Sequence, residues 1–168
     1  MEALSRQECE SILNRNEIGR LGCFSTAAQQ VYVVPISYRF RNGAAYFASL
    51  PGQKLDYLSQ HPDGVCLEVE EVDRDDNWNT VIVTGRFAET SGGEQVVEGF
   101  AALKRVARGP LRDLFAADTS PLSGRQLKFC VLRPTTIAGR RDRWAPEPAH
   151  ETENRRRRAA FHERRTSA

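Results

Sequence analysis

The sequence predicts a mainly β domain, an antiparallel barrel with flanking helices, and three observations carry that prediction. Two runs rich in β-branched and aromatic residues, Val31 to Arg41 and Ala44 to Ser49, flank Asn42-Gly43. That dipeptide is the strongest short hairpin signal, because both turn positions tolerate positive φ. Further strand-like runs follow at 65–72, 78–89 and 127–137, and successive β-rich segments with short connections argue against a parallel, doubly wound sheet. The 168 residues suit one compact domain with a hydrophobic core.

The elements follow in order. Ser5 with Glu8 three residues on has the pattern of a capping box, and Leu4 can staple to Cys9. Ile12 and Leu13 continue the apolar stripe, and the helix should end near Asn14 to Asn16. Ile18 to Thr26 reads as a short strand. Pro35 lies inside the next strand; it cannot donate a ladder hydrogen bond, so it marks an edge or an interruption. Lys54 to Gln60 reads as a short helix that His61-Pro62-Asp63-Gly64 ends. Val65 to Val72 alternates as a half-buried strand should. Asp73 to Asn77 is an acidic loop, and Trp78 to Glu89 a long strand in which Gly85 suggests a bulge or a close backbone approach. After the Ser91-Gly92-Gly93 break, 94–106 has helical spacing, 111–115 adds a turn, and 127–137 is the last strand.

Charge separates the chain into two parts. Residues 140–168 hold nine Arg and five acidic residues, whereas 1–139 hold fifteen Lys and Arg against seventeen Asp and Glu. The body is therefore not a basic nucleic-acid surface. From about Arg141 the sequence reads as a mobile Arg-rich extension, with a helical piece at 154–165, and the domain as residues 1–140. Within the extension, Arg155 to Arg158 can bind phosphate, but the interspersed Glu151, Glu153 and Glu163 fit a self-paired, solvated tail better. No apolar run approaches the roughly 20 residues that cross a bilayer, and the polar N-terminus is no secretory signal. Cys9, Cys23, Cys66 and Cys130 show no CxxC pairing and read as free thiols. Together these features fit a cytoplasmic protein.

Two constellations bear on chemistry. The hairpin delivers Ser49, then the Pro51-Gly52 loop, then Lys54 at the start of a short helix. A phosphate needs a cation and several donors, and a helix N-terminus adds backbone N–H groups. Lys54 there opposes the helix dipole, so helix stability does not require it. On spacing alone a solvated surface lysine is also open. The second constellation is Trp78-Asn79-Thr80, a polar strand entrance that can hydrogen-bond a heterocycle or a phosphate, or simply face water. The catalytic inventory is otherwise empty: His61 sits in a turn, His150 and His162 lie in the tail, and no GxSxG, HExxH or P-loop occurs. Glu68, Glu70 and Glu71 with Asp73, Asp75 and Asp76 fit a solvated strand face better than a metal site. A chain with no acid, base or nucleophile motif either binds something or lets a cofactor do the chemistry.

The pieces IGRLGCFST, VYVVPISYRF-NG-AAYFAS, PGQKLDYLSQHPDGVCLEVEEVD and WNTVIVTGRFAE, in this order, resemble the FMN-binding split-barrel flavoproteins of the pyridoxamine 5′-phosphate oxidase-like superfamily. The resemblance spans roughly residues 4–139 and is nearest the nitroimidazole-resistance branch. It implies a six-stranded antiparallel split β-barrel that forms a homodimer, with two FMN sites at the interface. Val33, Val34, Pro35, Ile36 and Ser37 would then lie along the isoalloxazine. Ala48, Ser49 and Lys54 would hold the phosphate, and Trp78, Asn79 and Thr80 would reach the flavin from the other subunit. Ala48 stands where nitroimidazole-resistance relatives commonly have histidine, which weakens nitroimidazole reduction. The basic residues and C-terminal arginine and histidine of vitamin B6 oxidases are not matched, which argues against pyridoxine 5′-phosphate oxidation. The resemblance thus implies an FMN-dependent oxidoreductase acting on a small-molecule substrate, with no catalytic side chain and no metal. The alternative is a non-catalytic flavin, haem or deazaflavin binder that stores or senses.

Overall fold

The computed structural model of the protein describes residues 1–72, 77–90, 101 and 128–143. Among the described residues nine elements run in chain order: β1 (Glu2–Leu4), α1 (Arg6–Arg15), β2 (Ile18–Ser25), β3 (Gln30–Arg41), β4 (Ala44–Ser49), α2 (Gln53–Gln60), β5 (Val65–Val72), β6 (Trp78–Glu89) and β7 (Lys128–Asp142). All the described strand pairs are antiparallel. Starting from β7, the pairing passes through β4, β3, β2, β5 and β6, and β6 returns to β7. Six strands therefore close on one another, as the family resemblance implies. A seventh, β1, adds to β7 at Gly139–Arg141. Three residues are too few for a periodic signal, which is why β1 was not expected. The helix and turn expected at 94–106 and 111–115, the loop residues 73–76 and the tail from 144 lie outside the described residues; β7 itself runs to Asp142.

Alternation builds the interior. Leu21 and Cys23 of β2, Leu67 and Val69 of β5, Val81 and Val83 of β6, and Cys130 and Leu132 of β7 all point into one core. Ala45 and Phe47 of β4 join it, while Ala44 and Tyr46 pack with Val131 in a second cluster, so β4 is buried on both faces. At the hairpin, Asn42 and Gly43 adopt φ of 50° and 75°, the left-handed pair that a two-residue turn of this hand needs.

Helix α1 begins as the capping box dictates. The Glu8 carboxylate accepts the Ser5 backbone N–H at 2.8 Å, and Ser5 Oγ accepts the Glu8 N–H at 3.3 Å. Cys9, Ile12 and Leu13 are buried beneath it, each large aliphatic contributing about 1.5–3 kcal/mol. The Tyr38 hydroxyl donates to the Leu13 carbonyl at 2.9 Å, which closes the helix onto β3. A Cβ on Gly139 would stand 2.6 Å from Cys9 Sγ and 2.8 Å from Leu4 Cδ1, so α1 and β1 both rest on that bare backbone. Gly85 answers a different need. The β6–β7 register shifts between Thr84 and Gly85, and a Cβ there would lie 2.2 Å from the Arg133 carbonyl oxygen. This is the bulge and close approach that the sequence suggests.

One seam of the barrel is incomplete. β3 pairs with β2 along Gln30–Ser37 but with β4 only along Tyr38–Arg41. Its other edge from Gln30 to Ser37 has no strand partner among the described residues, and α2 stands over that opening, its Tyr57 ring packed edge-on against Tyr32 at 5.6 Å.

Candidate functional site

The opening lies near α2, which packs on β2 and β6 and touches β3 through Tyr57 and Tyr32. β4 ends at Ser49, and the chain turns through Gly52, whose φ of 152° suits only glycine. Gly52 caps α2 without a side-chain hydrogen bond, so no side chain caps the first-turn N–H groups. Leu55 and Leu58 anchor α2 in the core. With those two residues fixed inward, Lys54 enters the barrel mouth, within electrostatic reach of the Cys23 and Cys130 thiols. It is half-buried, and desolvation holds its pKa below the ordinary lysine value. Among the described residues it has no carboxylate partner. Burial also pushes Cys130 up to about 12 and raises Cys23, so both thiols stay protonated and neutral beside the ammonium. Ser49 is 8% exposed, and its hydroxyl donates to the Leu50 carbonyl at 2.9 Å. Ala48 is buried beside it.

Val33 to Ser37 form the incomplete edge of β3. Ile36 and Val34 turn toward the core, while Val33 and Pro35 face outward. Pro35 pairs with Arg20 on the β2 side. A groove of about 560 Å³ opens there, lined by Arg15, Gly19, Arg20, Pro35 and Glu70 among others. Cross-strand partners extend the outer face as an uncharged row, from Val33 through Gly22 and Cys66 to Thr84 and Thr136. Val31 and Ile18 add exposed apolar surface at 70% and 59%. The carboxylates bordering that row are neutralised: Arg20 bridges Glu68 at 3.0 Å and Glu70 at 2.6 Å.

Trp78, Asn79 and Thr80 lie elsewhere. They open β6, paired with Val72, Glu71 and Glu70. Lys54 is near Cys130, which faces Glu89 at the other end of β6. At about 3.3 Å per residue the two ends of this strand are roughly 36 Å apart along its length. A single chain therefore places Ala48 and Ser49 just before the Gly52 turn and Lys54 just after it, with Lys54 within electrostatic reach of Cys23, whose cross-strand partner is Tyr32 of β3, but leaves 78–80 at the far end of β6. Asn79 and Thr80 also have internal partners. Asn79 Nδ2 donates to Glu71 at 3.3 Å, its Oδ1 accepts from Arg143 at 3.3 Å, and Thr80 Oγ1 donates to Glu68 at 3.1 Å. Glu71 also accepts from Arg15 at 2.6 and 2.5 Å and from Asn16 at 2.7 Å, and these bonds hold its pKa low against its burial.

Sequence reasoning missed two groups at the mouth. Lys128 is the cross-strand partner of Ser49, and its ammonium lies 3.1 Å from Glu89. The Ser49–Lys128 pairing joins residues 79 positions apart, which no local pattern reports. The one available signal was a lysine opening the last strand. Among the described residues no cluster of His, Cys, Asp and Glu could hold a metal ion, and no helix is long and apolar enough to cross a membrane.

Residues 5–141 match the pyridoxamine 5′-phosphate oxidase family. An uncharacterized protein of Rhizobium meliloti (strain 1021) is 35% identical over 89 residues, and the match spans 53% of this chain and 57% of that relative. An FAD-binding protein of Mesorhizobium loti is similar in structure at 26% identity and a TM-score of 0.67, covering 84% of this chain and 98% of its own. A 5-nitroimidazole antibiotic resistance protein of Bacteroides thetaiotaomicron shares the fold at 17% identity and a TM-score of 0.65, over 84% and 90% of the two chains. A heme-binding protein of Mycobacterium smegmatis shares it at 15% identity and 0.66, over 84% and 58%.

Proposed function

Because the chain belongs to the pyridoxamine 5′-phosphate oxidase family, we propose that it binds the flavin nucleotide FMN and passes electrons through it to a small-molecule acceptor, as a cytoplasmic oxidoreductase. The observation that carries this reading is Lys54: a half-buried ammonium without a carboxylate partner among the described residues, set at the first turn of α2. A desolvated cation of this kind is compensated by an anion, and a phosphate at a helix N-terminus supplies one. The thiols within electrostatic reach of Lys54 fit that anion, since Cys23 and Cys130 offer no competing charge.

In this reading Lys54 and the first turn of α2 hold the phosphate, with Ala48 and Ser49 forming the floor. The backbone of Val33 to Ser37, on the edge of β3 that lacks a strand partner, offers N–H and C=O groups to the heterocycle. Pro35 contributes only its carbonyl, so the hydrogen-bonding pattern along that edge is interrupted once. When bound, the flavin supplies hydride acceptance and onward electron transfer. No side chain need then serve as acid or base, consistent with the empty catalytic inventory.

A second copy of the chain completes the site. Trp78, Asn79 and Thr80 are too far along β6 to reach their own Lys54, and the uncharged outer row beside the β3 edge suits a two-fold contact. Neither a membrane nor a nucleic acid is a partner in this reading. The domain, expected to end at residue 140, runs on through β7 to Asp142, since Arg141 pairs with Glu2 and Asp142 with Trp78.

Purified protein tests the reading: an absorbance band near ~450 nm from copurified flavin, reduced on adding NADH or NADPH, is the expected result. A colourless protein that ignores added flavin overturns it. Flavin that is held but never reduced favours storage or sensing. One observation favours a dinucleotide as second reading, namely the 26% identity to the FAD-binding protein of M. loti, and mass analysis of the extracted flavin decides between FMN and FAD.

A further inference from the structure

Among the described residues three charged side chains, Lys54, Lys128 and Glu89, surround the Cys130 thiol at the barrel mouth, and only Lys54 has a role so far. Lys128 opens β7 directly across from Ser49, the last residue of β4. Strand alternation puts Lys128 on the same face as Cys130 and Leu132, which point into the core, and puts Glu89 on the face of Phe87. The Cys130 thiol lies within electrostatic reach of Lys54, Lys128 and Glu89 together. Lys128 Nζ is 3.1 Å from Glu89 Oε2, with both side chains more than a third exposed. An ion pair this open to water is weak. Among the described residues the mouth therefore collects two ammonium groups and one carboxylate, with the carboxylate committed to Lys128 and Lys54 without a carboxylate partner.

A phosphate monoester carries between one and a half and two negative charges near neutral pH, roughly twice what one lysine neutralises. We propose that Lys128 is the second cation of this anion seat and that Glu89 holds it in reserve, so that an incoming phosphate monoester draws Lys128 away from Glu89. The exchange costs little, because a weak, solvated pair gives way to a charge-assisted contact in a less hydrated mouth. Glu89 then acts as a built-in competitor that lowers affinity for doubly charged phosphate. This inference deepens the proposed function: it rests on Lys54 as the anion anchor and adds a residue pair that tunes it.

The test uses the full-length chain and the variants Lys128→Gln, Glu89→Gln and Lys54→Met, each checked for native melting temperature. FMN and riboflavin are titrated in parallel, since riboflavin shares the ring system and lacks the phosphate. The expected result is FMN binding weakened roughly tenfold in Lys128→Gln, as for loss of a charge-assisted hydrogen bond. FMN binding should tighten by roughly threefold in Glu89→Gln, the scale of an exposed ion pair. Riboflavin affinity should not move in either. FMN affinity unchanged in both variants, with Lys54→Met still impaired, overturns the role of Lys128. If the native protein binds neither flavin, the flavin reading fails by itself, and titration with inorganic phosphate reads the seat directly. Phosphate affinity that falls in both Lys128→Gln and Lys54→Met then sustains the two-cation seat. Phosphate that ignores Lys128, or does not bind, overturns it.

Discussion

Lys54→Met separates two effects that a merely structural lysine would combine. The substitution keeps the unbranched stem that lies along the barrel mouth and removes the ammonium. In the free protein that ammonium is desolvated and has no carboxylate partner among the described residues, so its loss should leave stability unchanged or raise it. Ligand binding should move the other way. A charge-assisted hydrogen bond contributes about 1.5–3 kcal/mol, which is roughly a 10- to 150-fold loss in FMN affinity. Riboflavin affinity should stay level. The pH dependence has a definite sign. Lys54 has a folded-state pKa below 10.5 because burial disfavours its charge. The unfolded chain thus holds its proton more tightly, and the free protein gains stability as pH rises through the folded value toward 10.5. Phosphate binding needs the ammonium, so FMN affinity is full below that folded value and falls as pH rises through it. In Lys54→Met this alkaline loss should disappear. Fluorescence titration of FMN and riboflavin across pH, with melting temperatures on the same samples, reads all of this. A variant that keeps the native ratio of FMN to riboflavin affinity refutes the reasoning.

Other consequences concern the frame that holds the mouth. The Glu8 carboxyl is held down to about 2 by hydrogen bonds from Ser5 and the contact with Arg141, so its stabilising contribution is present above the unfolded value of 4.5. That contribution is lost as pH falls from 4.5 toward 2. Glu8→Gln should flatten this part of an acid unfolding curve followed by circular dichroism, and an unchanged curve contradicts it. Gly85→Ala places a Cβ where the Arg133 carbonyl now stands, and should lower stability by about 1–3 kcal/mol in denaturant unfolding. Tyr38→Phe removes the buried donor to the Leu13 carbonyl and should cost about 1–3 kcal/mol, with the m-value unchanged. A Tyr38→Phe midpoint equal to native would mean that water or another donor satisfies that carbonyl.

Local chemistry made much of the fold readable. The capping box, the Asn42-Gly43 turn and the β-branched runs each specify one element from neighbouring residues, and α1 and β2 to β7 follow these signals. Glycine 85 was legible as a bulge because a bare residue inside a strand pattern has few other uses. Pairings between distant segments were not legible. The closure of β6 on β7, the addition of β1 and the placement of Lys128 opposite Ser49 depend on which strands meet, and side-chain periodicity is the same whatever the partner. The sites divide likewise. Ser49 and Lys54 are close in sequence, and the Gly52 turn between them sets Lys54 in the first turn of α2. Trp78 to Thr80 read as a free polar entrance, yet Glu68 and Glu71 of the neighbouring strand engage Thr80 and Asn79. Those two glutamates read as a solvated face, and Arg15 at the end of α1 and Arg20 of β2 are what neutralise them.

The claim most worth testing is that two copies of the chain build each flavin site. Lys54→Met removes one half of the proposed site, and a chain altered at Trp78, Asn79 and Thr80 removes the other. Each variant alone should bind FMN poorly. Unfolded together and refolded as a mixture, they should regain native-affinity FMN sites, because every mixed pair has one site in which both halves are intact. A mixture that binds no better than its two components, although sizing shows that the chains have exchanged, contradicts the account.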